Sequence, residues 1–527
     1  MLTNYKQLSL QFQFEPLINQ WYAWPYLISP ISCAVFFVEY YSKVMHSFIS
    51  NPKIHIQASK NPEMIGGPFI NYDETMVDKI KALHDETFAR NVEYSIVRND
   101  LKSLNEMLSE EANGYSLENL YQRLGESLRG KIELHYDLSN SPSYRFFERF
   151  FYTSKFNKVQ NQSSVLSLKS SARRSFVLST PRFPDENEIH VLKPFANKAY
   201  DKLFMMHSEP ANPESVFEEL ELGKEYRKSF MEMFVTFEKT NKKTEKTILR
   251  YFGHACVCIE TPESSILIDP FIVNPNSQDP DLLQFSFRDL PEKIDAVVLT
   301  HNHQDHVVIE TLLQIRYKTG LVIVPRANGT LIDPSLKYIL HALGFENVYE
   351  IDDMESVQVG DIMVTGVPFL GEHGDLNVRC KIAPLISIGE RKIMFAADSN
   401  NIDETLYYNI QSELGNIDDL FIGMECSGAP FTWQYGPLLA FLPDRKMEQS
   451  RRLSGSNHKK ALEIVKTLGI QRAYVYAMGL EPWFSHVMAT NYSELSEPIK
   501  ESKAFIENCK NSGIHAEMLF GGKEFFL

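Results

Sequence analysis

The sequence predicts an α/β protein with two parts: an α+β amino-terminal domain, then a domain in which two β-sheets are sandwiched between helices. Three observations predict this fold class. Apolar residues recur at helical spacing between residues 75 and 112, short strand-like runs follow one another after residue 247, and "THNHQDHVV" ends one of those runs. That stretch, Thr300–Val308, holds three histidines and one aspartate within six positions.

The amino-terminal part is predicted to be an α+β domain over residues 1–240. "KIELHYDL" (Lys131–Leu138) alternates apolar and polar residues, as a half-buried strand does. The histidines of this part are scattered singly, so no metal ligand is predicted here. A polar stretch, "FEKTNKKTEKT" (Phe237–Thr247), predicts a linker to a second domain over residues 246–527. We expect the first domain to serve in forming a homodimer or in docking a partner domain.

The composition excludes several classes of partner. The chain of 527 residues is 43% hydrophobic, as expected of a folded protein with sizeable cores. Its formal net charge of −15 argues against nucleic acid and anionic membrane surfaces, because both require clustered lysine and arginine. The six cysteines include no CxxC pair, which indicates free thiols in a reducing cytoplasm.

One uncharged segment, "WYAWPYLISPISCAVFFV" (Trp21–Val38), is apolar enough to be compared with a membrane helix. Pro25 and Pro30 interrupt it, no basic stretch precedes it, and Glu39 follows at once. Because a spanning helix needs about twenty apolar residues, we expect instead a buried, bent segment in the core or at a dimer interface. The sequence predicts neither a membrane span nor a signal peptide.

The second domain begins with short strands and has no nucleotide-binding motif. Runs such as "TILRYFG", "ACVCIET", "SILIDPF" and "DAVVLTH" come at short intervals, and helical patterns such as "HKKALEIVKTLG" separate later runs. Neither GxGxxG nor a P-loop is present. Hairpins first, followed by a strand that ends in the histidine cluster, predict two sheets sandwiched between helices.

The histidine cluster has the residue types and spacing of a metal site with two halves. His301 and His303 follow the buried strand "DAVVLT" and share a face, because residues i and i+2 of an extended strand point the same way. As the chain turns into the next helix, Asp305 and His306 reach a neighbouring position. Imidazole nitrogen and carboxylate oxygen are ordinary metal ligands, so two adjacent metal ions are predicted.

The cluster resembles the metal-binding signature of the metallo-β-lactamase fold superfamily. The preceding "RYFGHACVCIETPESSILIDP" (Arg250–Pro270) is similar to its opening strands, with His254 and the strand-end Asp269. The resemblance covers residues 246–527 and implies an αββα sandwich behind the α+β domain. It implies two ligand pairs, His301 with His303 and Asp305 with His306. The motif is specific for the fold and not for the reaction, because the fold hosts hydrolases, oxidoreductases and other enzymes.

The resemblance implies three further ligands downstream. Asp398, in "FAADSN", stands where the superfamily has its metal-bridging aspartate. "GEHGDL" offers Glu372 and His373 for the remaining ligand of the first metal, and hydrolytic members use a histidine there. His486 is the expected last ligand because it lies just past the strand "RAYVYAM", whereas His458 begins a helical pattern.

A glutamate at this position favours iron, because carboxylate oxygen suits iron and manganese better than zinc. One branch of the superfamily uses glutamate here, carries an extra amino-terminal domain, and is similar to "GEHGDL" and "YVYAMGLEPW" (Tyr474–Trp483) of this chain. Its members are diiron, O2-activating β-hydroxylases that act on amino acids tethered to nonribosomal peptide synthetase carrier domains. The resemblance implies this activity, two iron ions and an external electron donor. The alternative is a dizinc hydrolase of esters, amides or phosphodiesters, with His373 as a ligand.

Two further features are predicted around the metals. Asp269 is a candidate to accept the second N–H of a metal-bound imidazole, and His254 is a candidate neighbour. The segment from Gly428 to Asn457 contains several aromatic residues. It is interpreted either as a lid over the metals or as an ordinary packed loop.

Overall fold

Two seven-stranded β-sheets dominate the second half of the chain and follow an α+β first half. The computed structural model describes residues 5–62, 64–169, 174–237, 245–275 and 282–527. The linker predicted at residues 237–247 falls largely outside these ranges. Within them, no helix is long and apolar enough to cross a lipid bilayer.

The first half combines helices with a four-stranded antiparallel sheet. In spatial order the sheet contains Trp21–Tyr22, Phe12–Ile18, Gln162–Leu168 and Ile189–Val191, and smaller ladders pair Lys6–Leu8 with Phe234–Thr236 and Ile132–Tyr136 with Pro142–Phe146. The α-helices span Pro25–Ile28, Pro30–Phe36, Ser42–Ser50, Pro52–Lys60, Val77–Arg90, Val92–Glu111, Glu118–Tyr121, Arg149–Tyr152, Ala199–Met205, Pro213–Glu219 and Arg227–Glu232. The predicted α+β character of this half is confirmed.

The uncharged segment Trp21–Val38 is buried and bent, as predicted. Pro25 and Pro30 each begin a short helix, where the missing amide proton costs no hydrogen bond. The large side chains of Trp21 and Tyr26 have no solvent exposure. The segment therefore belongs to the hydrophobic core.

The second half is a sandwich of two mixed sheets with helices on its outer faces. In spatial order the first sheet contains Val348–Ile351, Thr319–Pro325, Ile294–Val298, Ser265–Ile268, Cys256–Glu260, Ile248–Gly253 and Lys523–Phe526. The second contains Ser356–Val359, Ile362–Val367, Ala383–Ile388, Arg391–Phe395, Asp419–Ile422, Arg472–Val475 and His515–Met518. The helices span Ile309–Ile315, Leu336–Ala342, Glu404–Leu414, Phe431–Tyr435, Arg445–Ser450, His458–Leu468 and Glu497–Asn511. This arrangement confirms the predicted αββα sandwich.

Alternation along the strands explains how the sheets pack. Val257 and Ile259 face the second sheet and share a buried core with its Ile386 and Ile393. Cys258, between them in sequence, faces the opposite way and belongs to the core formed with the first half of the chain. The strand Cys256–Glu260 is therefore apolar on both of its faces, as expected of a sheet that is covered on both sides.

The helix after the histidine cluster is anchored to the first half of the chain. Its Leu312 belongs to a hydrophobic core that both halves build. Its Glu310 accepts hydrogen bonds from Tyr22 (2.9 Å) and Arg174 (2.8 Å), and Arg174 also donates to Glu15 (3.1 Å). These buried ion pairs link the helix to the first half of the chain. The histidine loop, which leads directly into this helix, is therefore anchored at its carboxyl-terminal end.

Candidate metal centre

The predicted ligands come together where parallel strands of the two sheets end. Asp269 follows the strand Ser265–Ile268, the histidine cluster follows Ile294–Val298, and Asp398 follows Arg391–Phe395 in the opposite sheet. The carboxyl ends of parallel strands are where open α/β sheets place ligand-binding loops. The sandwich therefore brings together residues that are far apart in sequence.

Three groups of possible ligand atoms form a row in the described part of the chain. Within each group the atoms lie within 4.8 Å of one another, and the groups are His301, His303 and Glu372; His301, His306 and Asp398; and His254, Asp305 and His306. His301 is common to the first two groups and His306 to the last two. This is the arrangement expected of two adjacent metal ions with Asp398 between them.

Glu372 faces the first half of the row, and His373 flanks it. Glu372 Oε1 lies 2.5 Å from His303 Nδ1, and Glu372 Oε2 lies 3.4 Å from His301 Nε2. His373 Nδ1 contacts the hydroxyl of Tyr435 at 2.7 Å, and His373 Nε2 lies 3.3 Å from Glu372 Oε2. Glu372 adopts a left-handed backbone conformation with φ of 68°. Such a conformation costs energy in a residue with a side chain, and it persists where the surrounding structure imposes it.

The second half of the row contains a histidine that the sequence indicated merely as a neighbour. His306 Nε2 lies 3.1 Å from Asp398 Oδ2 and 3.8 Å from Asp305 Oδ2. His254 Nε2 lies 3.3 Å from the same Asp305 oxygen. His254 also has a left-handed backbone, with φ of 50°. The loop before the second strand of the domain therefore turns this imidazole into the row.

His486, the predicted last ligand, lies outside the three groups. Its ring is fully buried and packs against Phe271 and Tyr22, with ring centroids 5.6 and 6.3 Å away. His458 begins the helix His458–Leu468, as expected, and its Nδ1 lies 2.5 Å from a carboxylate oxygen of Glu501.

Asp269 orients imidazoles in both halves of the row. Its Oδ2 accepts a hydrogen bond from His306 Nδ1 (2.7 Å) and another from the Thr300 hydroxyl (2.6 Å). Because that hydroxyl donates to Asp269, it accepts from His301 Nδ1, 2.9 Å away. One carboxylate thus fixes the proton on Nδ1 of both rings and leaves both Nε2 atoms directed at the row. Asp269 thus accepts an imidazole N–H, as predicted, and metal binding by that imidazole stays a prediction.

Tyr435 performs the corresponding task for His303. Its hydroxyl lies 3.0 Å from His303 Nε2 and 2.7 Å from His373 Nδ1. If the hydroxyl donates to His373, it accepts from His303 Nε2 and leaves His303 Nδ1 directed at Glu372. No local motif around Tyr435 indicates this role, apart from the aromatic character of the segment.

Burial and neighbouring charges set the protonation of the row. Burial lowers the pKa of His301 well below its usual value, so this imidazole is neutral, as a metal ligand must be. Burial also disfavours charge on His306, yet Asp269 and Asp305 together raise its pKa well above the usual value. The carboxylates therefore make this region strongly attractive to cations.

The donor atoms that point into the row fit metal ions. His301 Nε2, Glu372 Oε2 and Asp398 Oδ1 are buried and make no hydrogen bond within the described residues. Buried polar atoms without partners are rare in folded proteins, and metal coordination satisfies them. A mixture of imidazole nitrogens with several carboxylate oxygens is a donor set that suits iron.

A cavity of about 460 Å³ opens onto the row. Aromatic and aliphatic side chains form much of its wall, among them Trp24, Phe36, Tyr41, Phe176, Leu178, Trp433, Met478 and Met488. The segment from Gly428 to Asn457 contributes Trp433, Gln434 and Leu453 to this wall. Part of this segment therefore lines the cavity that opens onto the row, and its role as a lid stays a prediction.

Two family models match this chain, one in each half. Residues 7–237 match the diiron non-heme β-hydroxylase N-terminal domain, and residues 264–476 match the β-lactamase superfamily domain. The 4-amino-L-phenylalanyl-[CmlP-peptidyl-carrier-protein] 3-hydroxylase of Streptomyces venezuelae is 36% identical over 516 residues, 96% of each chain. The chain belongs to the diiron non-heme β-hydroxylase family. The predicted two iron ions and the predicted hydroxylase activity are thereby confirmed, in preference to the dizinc hydrolase.

Solved structures of this β-hydroxylase family agree over the whole chain. The crystal structure of CmlA, a diiron β-hydroxylase from Streptomyces venezuelae, has a TM-score of 0.93 and 36% identity, covering 99% of each chain. A glutamate-to-aspartate variant of CmlA has a TM-score of 0.91 and 35% identity, covering 99% of this chain and 100% of its own. By contrast, a UPF0173 protein of Pyrococcus abyssi is 32% identical over 124 residues, which are 23% of this β-hydroxylase and 48% of its own length.

Proposed function

We propose that this diiron hydroxylase acts on the β-carbon of an amino acid tethered as a thioester to a peptidyl carrier domain. The observation that carries the proposal is the position of Glu372, whose carboxylate faces His301 and His303 at the end of the cavity. A relative that matches the chain throughout is a 3-hydroxylase of an aminoacyl group on a carrier protein. The aromatic wall of the cavity suits an aromatic amino acid side chain.

The proposed ligand set follows the row of donor atoms. His301, His303 and Glu372 would hold the first iron ion, Asp305 and His306 would hold the second, and Asp398 would contribute to both sites. We further propose that His254, in place of His486, completes the second site, because His254 and not His486 groups with Asp305 and His306.

The reaction consumes O2, two electrons and two protons; one oxygen atom enters a C–H bond and the other leaves as water. Bound iron supplies the reduction of O2. The residues of the chain supply geometry and charge: Asp269 and Tyr435 hold the imidazoles in one orientation, and the apolar wall excludes water from the reacting carbon. The chain has no flavin or nicotinamide motif, so we propose an external electron donor.

A second cavity offers a path for the tether. A neighbouring cavity of about 300 Å³ shares several lining residues with the one above the metals. The shared residues are Ile65, Gly66, Phe176, Met488, Ala489, Thr490 and Asn491. A flexible phosphopantetheine arm in this second cavity could place its aminoacyl group in the cavity above the metal site.

The first domain, proposed to span residues 1–240, is expected to mediate dimerisation or to dock the carrier domain. It also covers apolar surface of the second domain, because both halves contribute to one core. An isolated fragment of residues 246–527 should therefore bind metal but dissolve poorly. A soluble, monomeric and fully active fragment would contradict this role.

All six cysteines are free and five are buried, which favours the proposed cytoplasmic location.

The function is tested with iron-loaded protein and a carrier domain loaded with an aromatic amino acid. We expect about two iron ions per chain, a ligand-to-metal charge-transfer band after oxidation, and incorporation of one ¹⁸O atom from ¹⁸O2 into the tethered amino acid. Mass spectrometry of the carrier detects the product. Protein that retains two tightly bound zinc ions and hydrolyses esters, while iron-loaded protein is inert, would contradict the proposal.

A further inference from the structure

Glu425 is a carboxylate in the cavity wall that lies outside the proposed metal ligands. The other carboxylates of the wall are Asp305, Glu372 and Asp398, all of them proposed ligands. No lysine or arginine is among the described residues that line this cavity. Glu425 also makes no salt bridge with any described residue. Among the described side chains that line this cavity, Glu425 therefore has no lysine or arginine to balance its charge.

The position of this carboxylate is fixed by hydrogen bonds. Glu425 Oε1 accepts from the backbone N–H groups of Ser427 (3.1 Å) and Gly428 (2.8 Å), and Oε2 accepts from the Tyr492 hydroxyl. Burial and then the negative charge of Asp398 raise the pKa of the Glu425 carboxyl, against the effect of these hydrogen bonds. A positive charge beside Glu425 would lower this pKa again and so favour the charged carboxylate.

Glu425 lies beside the proposed bridging ligand. The strands Arg391–Phe395 and Asp419–Ile422 are parallel neighbours, and each is followed within three residues by a carboxylate, Asp398 and Glu425 respectively. Gly423, two residues before Glu425, lies against the Asp398 side chain: a Cβ atom on Gly423 would lie 2.5 Å from Asp398 Oδ1. The carboxylate of Glu425 thus flanks the end of the cavity where the reacting carbon must be held.

We propose that Glu425 binds the α-ammonium group of the tethered amino acid. This inference rests on the proposed function. In an aminoacyl thioester the amine is two bonds from the β-carbon, so a β-carbon directed at the metals holds the ammonium group near them. A charge-assisted hydrogen bond from this group to Glu425 would fix which hydrogen of the β-carbon faces the iron ions. The amino acid side chain would then extend along the aromatic wall.

The test compares the affinity of iron-loaded protein, without O2, for three loaded carrier domains. One carries phenylalanine, with an α-amine alone. The second carries 3-phenylpropionate, with no amine, and the third carries 3-(4-aminophenyl)propionate, with a side-chain amine alone. We expect the wild-type protein to prefer the phenylalanyl carrier over both others by about 10–100-fold, the value of one charge-assisted hydrogen bond.

Glu425→Gln should reduce this preference to within about threefold, an estimate for a neutral hydrogen bond. The amide oxygen can still accept from Ser427 and Gly428, so the turn is kept. Glu148→Gln is the matched control, because Glu148 is also a buried carboxylate that accepts backbone N–H bonds, from Ser335, and it lies outside this cavity. It should keep the preference. Iron content and the circular dichroism spectrum are compared for each protein.

Tyr492→Phe provides a second variant that leaves the charge of Glu425 in place, and it should keep the preference. Persistence of the wild-type preference in Glu425→Gln would overturn the inference, as would its loss in Tyr492→Phe and Glu425→Gln alike. A preference for the carrier with a side-chain amine alone would overturn the choice of the α-amine. Wild-type protein that binds no loaded carrier would instead refute the proposed function itself.

Discussion

Replacing Asp269 by asparagine should weaken iron binding in both halves of the row without disturbing the backbone. Asp269 has φ of 40°, a left-handed conformation that asparagine tolerates better than most residues. Asp269 Oδ1 accepts from the Thr300 backbone N–H (2.8 Å), while Oδ2 accepts from the Thr300 hydroxyl and from His306. An amide has one acceptor oxygen, so either orientation of Asn places its NH2 group against a donor.

The size of the expected loss in iron affinity follows from the hydrogen bond between Asp269 and His306 that the substitution removes. With the amide nitrogen beside His306 Nδ1, the ring relieves the conflict by moving its proton to Nε2, the atom that faces Asp398. Loss of a hydrogen bond to a charged group costs about 1.5–3 kcal/mol. At about 1.4 kcal/mol per tenfold change, this is about 10–100-fold in iron affinity, which agrees with about 10–100-fold for groups that orient metal ligands.

Anaerobic titration with ferrous iron against a competing chelator measures this affinity. Thr300→Val removes the link to His301 and leaves the bond to His306, so its effect should be smaller. Asp295→Asn is the matched control: Asp295 accepts the Ser265 N–H at the opposite end of the same pair of strands. Wild-type iron affinity in Asp269→Asn, or a larger loss in Thr300→Val, would refute the proposed orientation of the rings.

Three further predictions concern ligands and stability. Glu372→Gln should sharply slow substrate-dependent O2 uptake, whereas His373→Ala should cost at most about 10–100-fold; the reverse order would contradict the glutamate ligand. His254→Ala should lower bound iron toward one ion per chain while His486→Ala retains two, and the opposite result in metal analysis would make His486 the ligand. Burial lowers the pKa of His207 from 6.5 to about 3, so its contribution to stability is full above pH 6.5 and is lost as the pH falls toward 3. Between pH 6.5 and pH 5 the loss is about 2 kcal/mol, at about 1.4 kcal/mol per unit. Buried His301 also has a lowered pKa, so His207→Gln keeps part of the pH dependence. Urea unfolding at both pH values should therefore show a loss that is about 2 kcal/mol smaller in His207→Gln than in wild-type protein; equal losses would contradict it.

The sequence by itself determined the fold class and the first part of the site. The cluster from His301 to His306 is local, so its spacing and the strand before it could be read along the chain. The order of the strand-like runs in the second half also predicted two sheets sandwiched between helices, because hairpins come first and a strand ending in the histidine cluster follows. Asp398 and Glu372 were found through resemblance to a superfamily whose motifs keep their order.

The tertiary structure decided which distant residues meet. A left-handed turn brings the Glu372 carboxylate into one group with His301 and His303, and neighbours in sequence give no sign of that turn. His254 groups with Asp305 because two loops of the first sheet meet at one edge, whereas His486, predicted from its distance past a strand, lies outside. Glu425 is marked by no motif, since its environment comes from strands, loops and helices of both halves. Spacing along the chain determines which side chains point the same way within one strand or turn. Contacts across the sandwich depend instead on how the two sheets pack against each other.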